Sequence, residues 1–247
     1  MCGIIGFANK KNCIELLLSG MKTLKGRGRD FAGVLLDNRL LLDKSLEKIK
    51  NKVASLPGSP NFCFGHLLHS VVSFVPEPIV DSQNKIAITA NCEIYNWEDL
   101  SEKHNVFAEN DVELILNLFK KNLAGNSDIG NILNAVEKTI NELDGVFAFA
   151  LRVSDWIVIA RDILGVKPLW YINKGFFAFA SERKALSGLG YPKELNPRFI
   201  AAYNIKEGIE SIKKGAEFNA EKSMRMKKRE FFELSKTTLT KKDIITL

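Results

Sequence analysis

Residues 1–7 read Met-Cys-Gly-Ile-Ile-Gly-Phe, MCGIIGF. Inside a chain, Cys-Gly-Ile-Ile would open a buried strand. Directly after the initiator Met, the cysteine has a second reading. Removal of Met1 would make Cys2 the first residue, with a free α-amine beside its own thiol. A thiol ordinarily titrates near pH 8.5 and an α-amine near 7.7–8.0. At neutral pH part of the amine is therefore unprotonated and able to take the thiol proton, directly or through a water. In this way an N-terminal nucleophile dispenses with the histidine of a Cys–His pair. The dipeptide alone favours a structural cysteine at a strand start, so the rest of the chain has to decide.

The 247 residues are 46% hydrophobic and 26% charged, with a mean hydropathy near zero. Such a chain is globular and long enough for one large domain or two small ones. No apolar run approaches the roughly 18 residues of a membrane span. No cationic, apolar leader opens the chain, so the N-terminus is expected to be mature apart from Met1. Cys2, Cys13, Cys63 and Cys92 show no metal-ligand spacing and the three histidines are scattered, so neither a metal nor another cofactor is expected. A reducing cytosol is the simplest setting. The net charge of +6 is concentrated in 221–247, where eight Lys/Arg stand against four Asp/Glu. The larger part shows no Arg/Lys stripe interleaved with aromatics, which argues against nucleic-acid binding by the body of the protein.

A short strand is expected over 3–7, closed by a turn at Asn9-Lys10-Lys11. Ile14, Leu17, Leu18, Met21 and Leu24 recur at helical spacing, and Asn12-x-x-Glu15 reads as a capping box. The helix should end in Gly26-Arg27-Gly28-Arg29-Asp30. That stretch begins like a dinucleotide fingerprint, but Phe31 stands where the third glycine belongs and a helix precedes it. Strands are expected at 33–36, 62–74 and 85–90, then helices at 111–121 and 129–143. The apolar runs 146–152, 156–160 and 176–180, with turns at Ser154-Asp155 and Asn173-Lys174-Gly175, favour antiparallel pairing. Strands, helices and strands again predict α+β layers rather than βαβ succession. Residues 1–205 read as the domain and 206–247 as a basic tail or linker.

Six colinear stretches carry a resemblance. They are Met1–Gly6, Ala90-Asn91-Cys92-Glu93-Ile94-Tyr95-Asn96, Asn110–Ile115, Leu143–Ala150, Ala160–Leu169 and Ala180–Leu186. Together they resemble the class II glutamine amidotransferase domain, most closely the N-terminal glutaminase half of glutamine-dependent asparagine synthetase. The resemblance implies an N-terminal-nucleophile fold, a four-layer αββα sandwich of two antiparallel sheets, with Cys2 attacking the side-chain amide of glutamine. It makes the Asn91 side chain and the backbone N–H of Cys92 the oxyanion donors, a pair worth roughly 2.7–4 kcal/mol per donor. It also implies that Glu93 and Asp111 line the pocket and hold the substrate ammonium. Taken singly, Asn91 reads as a turn residue after a strand, Glu93 as a surface acid and Asp111 as a helix-start acid favoured by the helix dipole.

Two positions depart from the family. Cys92 replaces a glycine, which keeps the backbone donor if the local angles accept a Cβ. The family's Gly-His-x-Arg-x-Ser, whose arginine grips the glutamine α-carboxylate, reads Gly65-His66-Leu67-Leu68-His69-Ser70 here. Leucine cannot replace a bidentate guanidinium, and the loss is on the order of 3 kcal/mol, over a hundredfold in binding. Arg27, Arg29 or His69 could compensate, the substrate could differ from glutamine, or the domain could be a catalytically retired scaffold.

The sequence has no Ser-Gly-Gly-x-Asp-Ser pyrophosphate loop and no GxxxxGK[ST] loop. An isolated domain of this kind could at most make ammonia, so the expectation is an ammonia-supplying subunit, or a fragment, working with a separate synthetase of the pyrophosphate-loop type. Self-association is left open, and nucleic acid is expected at most through that partner.

Overall fold

Two antiparallel sheets carry the structure, and both faces of each are covered. The computed structural model describes residues 1–207 apart from 55, 57, 71–73, 84, 124, 126 and 198. Strands are numbered in chain order. The larger sheet runs β11 (Lys193–Glu194), β9 (Trp170–Asn173), β10 (Phe177–Ala180), β1 (Gly3–Ala8), β4 (Phe62–Leu68), β2 (Phe31–Leu36) and β3 (Arg39–Asp43). The smaller runs β12 (Ala201–Asn204), β8 (Trp156–Arg161), β7 (Gly145–Val153), β6 (Ile86–Ile94) and β5 (Ile79–Asp81).

Side chains of a strand alternate between faces, and here each face feeds a different core. Ile4, Leu35, Phe62, Phe64 and Phe179 of the larger sheet meet Ala87, Ala148, Ala150, Ile157 and Ile159 of the smaller one. On its outer face the larger sheet packs Ile5, Val34 and Leu67 against Leu17 and Met21 of α1 (Cys13–Thr23) and Ile49 and Val53 of α2 (Leu46–Ala54). The smaller sheet packs Ile88, Phe147 and Phe149 against α3 (Trp97–His104), α4 (Asp111–Asn122) and α5 (Ile129–Glu142). The result is helix, sheet, sheet, helix, the αββα sandwich implied by the resemblance.

Several local expectations need correction. Asn12 does precede α1, but in left-handed backbone (φ 59°) and without a side-chain cap bond, so there is no capping box. The expected strand 62–74 stops at Leu68, where Asp30 N–H donates to the Leu68 carbonyl and Ser70 N–H to Asp30 Oδ2, and 71–73 lie outside the described residues. The strand expected at 85–90 runs on to Ile94, because β7 pairs with it residue for residue from Ile86↔Val153 to Ile94↔Gly145. Asn91 therefore lies inside a strand, not in a turn. Helix boundaries at 111 and 129 match closely, for a local reason: Asn110 Oδ1 accepts from Glu113 N–H at 2.9 Å and Asp128 Oδ1 from Asn131 N–H at 2.9 Å. The basic segment 208–247 lies outside the described residues.

Candidate functional site

The N-terminus is clamped into the larger sheet. Ile4 N–H donates to Ser181 Oγ at 3.0 Å, and Ser181 N–H returns to the Ile4 carbonyl at 2.9 Å. Arg27, in the loop after α1, donates from Nε to the Cys2 carbonyl at 2.9 Å and pairs through Nη1 with Glu182 Oε1 at 3.1 Å. Gly28 lets that loop lie on β4, since a Cβ there would stand 2.6 Å from the Leu67 carbonyl carbon. Cys2 is thus held at the end of β1.

Across the gap between the sheets, Cys2 N–H donates to Asn91 Oδ1 at 3.2 Å. That contact joins the candidate nucleophile on one sheet to the candidate oxyanion residue on the other. Asn91 is 2% exposed, and its Nδ2, enclosed by the protein, has no hydrogen-bond partner. An unmet buried donor costs about 1–3 kcal/mol, so Nδ2 is available to an acceptor entering the gap.

The Cys92 N–H stands ready in a similar way. Amide groups two residues apart leave a strand by the same edge. On this edge Ala90 N–H goes to Glu77 Oε2 at 2.6 Å and Ile94 N–H to Asp111 Oδ2 at 3.3 Å. Cys92 lies between them, and Phe147, its register partner, bonds Asp162 on the far side. Cys92 has ordinary negative-φ strand backbone, so its Cβ is accommodated. Its side chain points to the helical face and donates to Asp111 Oδ2 at 3.5 Å.

Asp111 is the first residue of α4, but its carboxylate turns to β6 while neighbouring Asn110 caps the helix. Burial lifts its pKa, and the bonds from Cys92 and Ile94 pull it part of the way back. Glu93 is exposed, two residues beyond Asn91 on β6. Burial pushes the Cys2 thiol up to about 11, and its hydrogen bond to the His69 carbonyl pulls it part of the way back.

The proposed substitutes for the missing arginine are placed as follows. Arg27 spends Nε and Nη1 on Cys2 and Glu182, and its enclosed Nη2 has no partner. His69 Nδ1 stands 3.4 Å from Asp30 Oδ2. Arg29 is exposed in the loop. Leu68 is 5% exposed and closes β4 beside Cys2.

Sequence reading missed one buried polar pair. His66 Nε2 lies 3.4 Å from Glu77 Oε1, behind Cys2, and Glu77 also holds β6 through Ala90. Burial drives the imidazole down to about 3 and the Glu77 carboxyl well above its usual range, so the two meet as neutral groups. Glu77 sits between two prolines, Pro76 and Pro78, and reads locally as an exposed acid; nothing in a single sequence marks it.

A family profile described as a glutamine amidotransferase domain matches residues 72–188, a span that holds Asn91, Cys92, Glu93 and Asp111. Residues 72–188 are thereby identified as a glutamine amidotransferase domain. The chain is 34% identical over 196 residues to a protein of Methanocaldococcus jannaschii assigned as a glutamine-hydrolyzing asparagine synthetase, covering 75% of this chain and 33% of that one. It is 32% identical over 169 residues to an isomerizing glutamine–fructose-6-phosphate aminotransferase of Thermococcus kodakarensis, covering 63% of this chain and 28% of that one. The chain thus spans about a third of the length of these curated relatives. In fold it resembles the glutamine phosphoribosylpyrophosphate amidotransferase of B. subtilis, with a TM-score of 0.69 at 20% identity over 84% of this chain and 48% of that one. Among the described residues, no helix is long and apolar enough to cross a membrane.

Proposed function

We propose that this domain hydrolyses a glutamine side-chain amide through Cys2 and passes the ammonia to an ATP-dependent synthetase of the pyrophosphate-loop type. The observation that carries this reading is the contact of Cys2 N–H with Asn91 Oδ1, beside the unpartnered Nδ2. In the processed chain the Cys2 nitrogen is an amine, and donation to Asn91 Oδ1 orients it. The amine takes the thiol proton as Sγ attacks the amide carbon. The carbonyl oxygen becomes an oxyanion between Asn91 Nδ2 and Cys92 N–H. Collapse returns the proton to the leaving nitrogen, ammonia departs and a thioester remains. Water, deprotonated by the same amine, cleaves the thioester to the carboxylic acid and restores the thiol.

Asp111 and Glu93 supply negative charge where a substrate ammonium would sit, and Arg27 positions Cys2 through its carbonyl. Residues 1–205 form the ammonia-producing unit in this reading, with 206–247 leading toward the synthetase. A reducing cytosol keeps the nucleophilic thiol available. Intact mass should show Met1 absent, and the processed protein should release ammonia where Cys2→Ala does not. A processed, folded protein that stays silent alone and with a candidate synthetase would sink the proposal.

A further inference from the structure

The walls of the site differ in chemistry. Cys2 precedes Gly3, which pairs with Leu67, so Leu68 is the cross-strand neighbour of Cys2. Leu68 pairs in turn with Phe31 of β2. Ile4, Phe64 and Leu35 all belong to the core between the sheets. Counting by twos along each strand puts Cys2, Leu68 and Phe31 on that same face. Phe31 meets Phe74 edge to face, with centroids 5.1 Å apart. Phe74 is 56% exposed and opens onto a cavity of about 290 Å³ lined by Leu40, Pro76 and Ile79, with Glu109 and Glu113 at its rim.

This side of the nucleophile is therefore apolar, and the charged groups beyond it are acids. Arg27 does not change this. Gly3 faces the α1 side of β1, and a Cβ there would touch Arg27 Cβ at 3.4 Å, so Arg27 approaches from the other face of the sheet. His69 is one residue beyond Leu68 and turns to Asp30. A carboxylate laid against Leu68 and Phe31 would be stripped of water with no partner. An ammonium facing Asp111 and Glu93 would be welcome.

Resting on the proposed function, we infer that the preferred substrate is a glutamine with a free α-amine whose α-carboxyl is masked in peptide or amide linkage, as in an N-terminal glutaminyl peptide. The peptide continuation lies along Leu68, Phe31 and Phe74, where a neutral amide costs far less to desolvate than a carboxylate.

The test compares ammonia release by the processed protein from L-glutamine, glutaminylglycine and N-acetylglutaminylglycine, with Cys2→Ala as blank. Glutaminylglycine has a single primary amide, so its product is unambiguous. The inference expects kcat/KM for glutaminylglycine at least tenfold above that for glutamine, and at least a tenfold loss on acetylation. Leu68→Arg, checked for folding by circular dichroism, should raise kcat/KM for free glutamine and narrow the preference. Free glutamine as the equal or better substrate overturns the inference and leaves the proposed function standing, and a rise in its KM in Arg29→Ala would then assign the carboxylate to Arg29. Absence of Cys2-dependent ammonia from every substrate overturns the inference and the proposed function together.

Discussion

At the residue scale, the side-chain amide of Asn91 is split between two tasks. Oδ1 holds the Cys2 nitrogen while Nδ2 waits for an acceptor. Asn91→Ala should therefore lower kcat by roughly 10²–10³ with a much smaller change in KM, the mark of an interaction made mainly in the transition state. Initial-rate kinetics on the processed protein would show it. A kcat within threefold of wild type would remove Asn91 from the oxyanion site. Cys2 itself should respond to processing. With Met1 attached, burial holds the thiol near 11; with Met1 gone, the positive amine stands beside Sγ and favours the thiolate. The pH profile of iodoacetamide labelling should shift downward on processing, and superimposable profiles would contradict the account.

Glu77 and His66 offer a second test at this scale, through stability. The depressed His66 pKa makes its contribution complete above pH 6.5, to be lost as pH falls through about 3. The raised Glu77 pKa makes its contribution complete below pH 4.5, to be lost as pH rises through the folded value. Glu77→Gln keeps the shape but cannot ionise. Its melting temperature should improve relative to wild type as pH is raised from 5 to 9, and a constant difference across that range would mean that Glu77 does not titrate in this way.

At the element scale, α4 brings Asp111 to the site because Asn110 starts the helix one residue earlier. Asn110→Ala removes the cap bond to Glu113 and should cost about 1 kcal/mol in thermal unfolding. Fraying of that first turn also frees Asp111, so KM should rise more than kcat falls. Unchanged stability would show that tertiary packing, not the cap, sets the start of α4. The sequence placed the starts of α4 and α5 at 111 and 129 from the spacing of their apolar residues, and the structure shows Asn110 and Asp128 capping them. The sequence misplaced the end of β4, where the Leu68 carbonyl and Ser70 amide meet Asp30, about forty residues away in the chain.

For the whole molecule, the proposed catalysis depends on the spacing of two sheets, since Cys2 lies at the end of one and Asn91 within the other. Phe179 helps set that spacing, with its ring edge to face with Phe64 at 5.4 Å and beside Phe177 at 6.3 Å. Phe179→Ala should cost about 3–5 kcal/mol in denaturant unfolding and also depress kcat in the protein that remains folded, because the two halves of the site lose their common support. A large stability loss with kcat intact would show that the Cys2–Asn91 contact is held from the N-terminal clamp alone.

The sequence by itself determined what depends on near neighbours: the alternating strands, the helices beginning at 111 and 129, the α+β character and, through six colinear motifs, the amidotransferase resemblance with Cys2 at its head. Each of these rests on periodicity or on residue types at short spacing. Only the tertiary structure decided which strands lie side by side, that Asn91 sits within β6 facing Cys2, that Glu77 and His66 are buried together as neutral groups, and that Leu68 joins Phe31 and Phe74 in an apolar wall. Those facts follow from pairing between strands far apart in the chain and from removal of water when two sheets close on each other. A single sequence encodes such pairings only through the energy of the whole packed core.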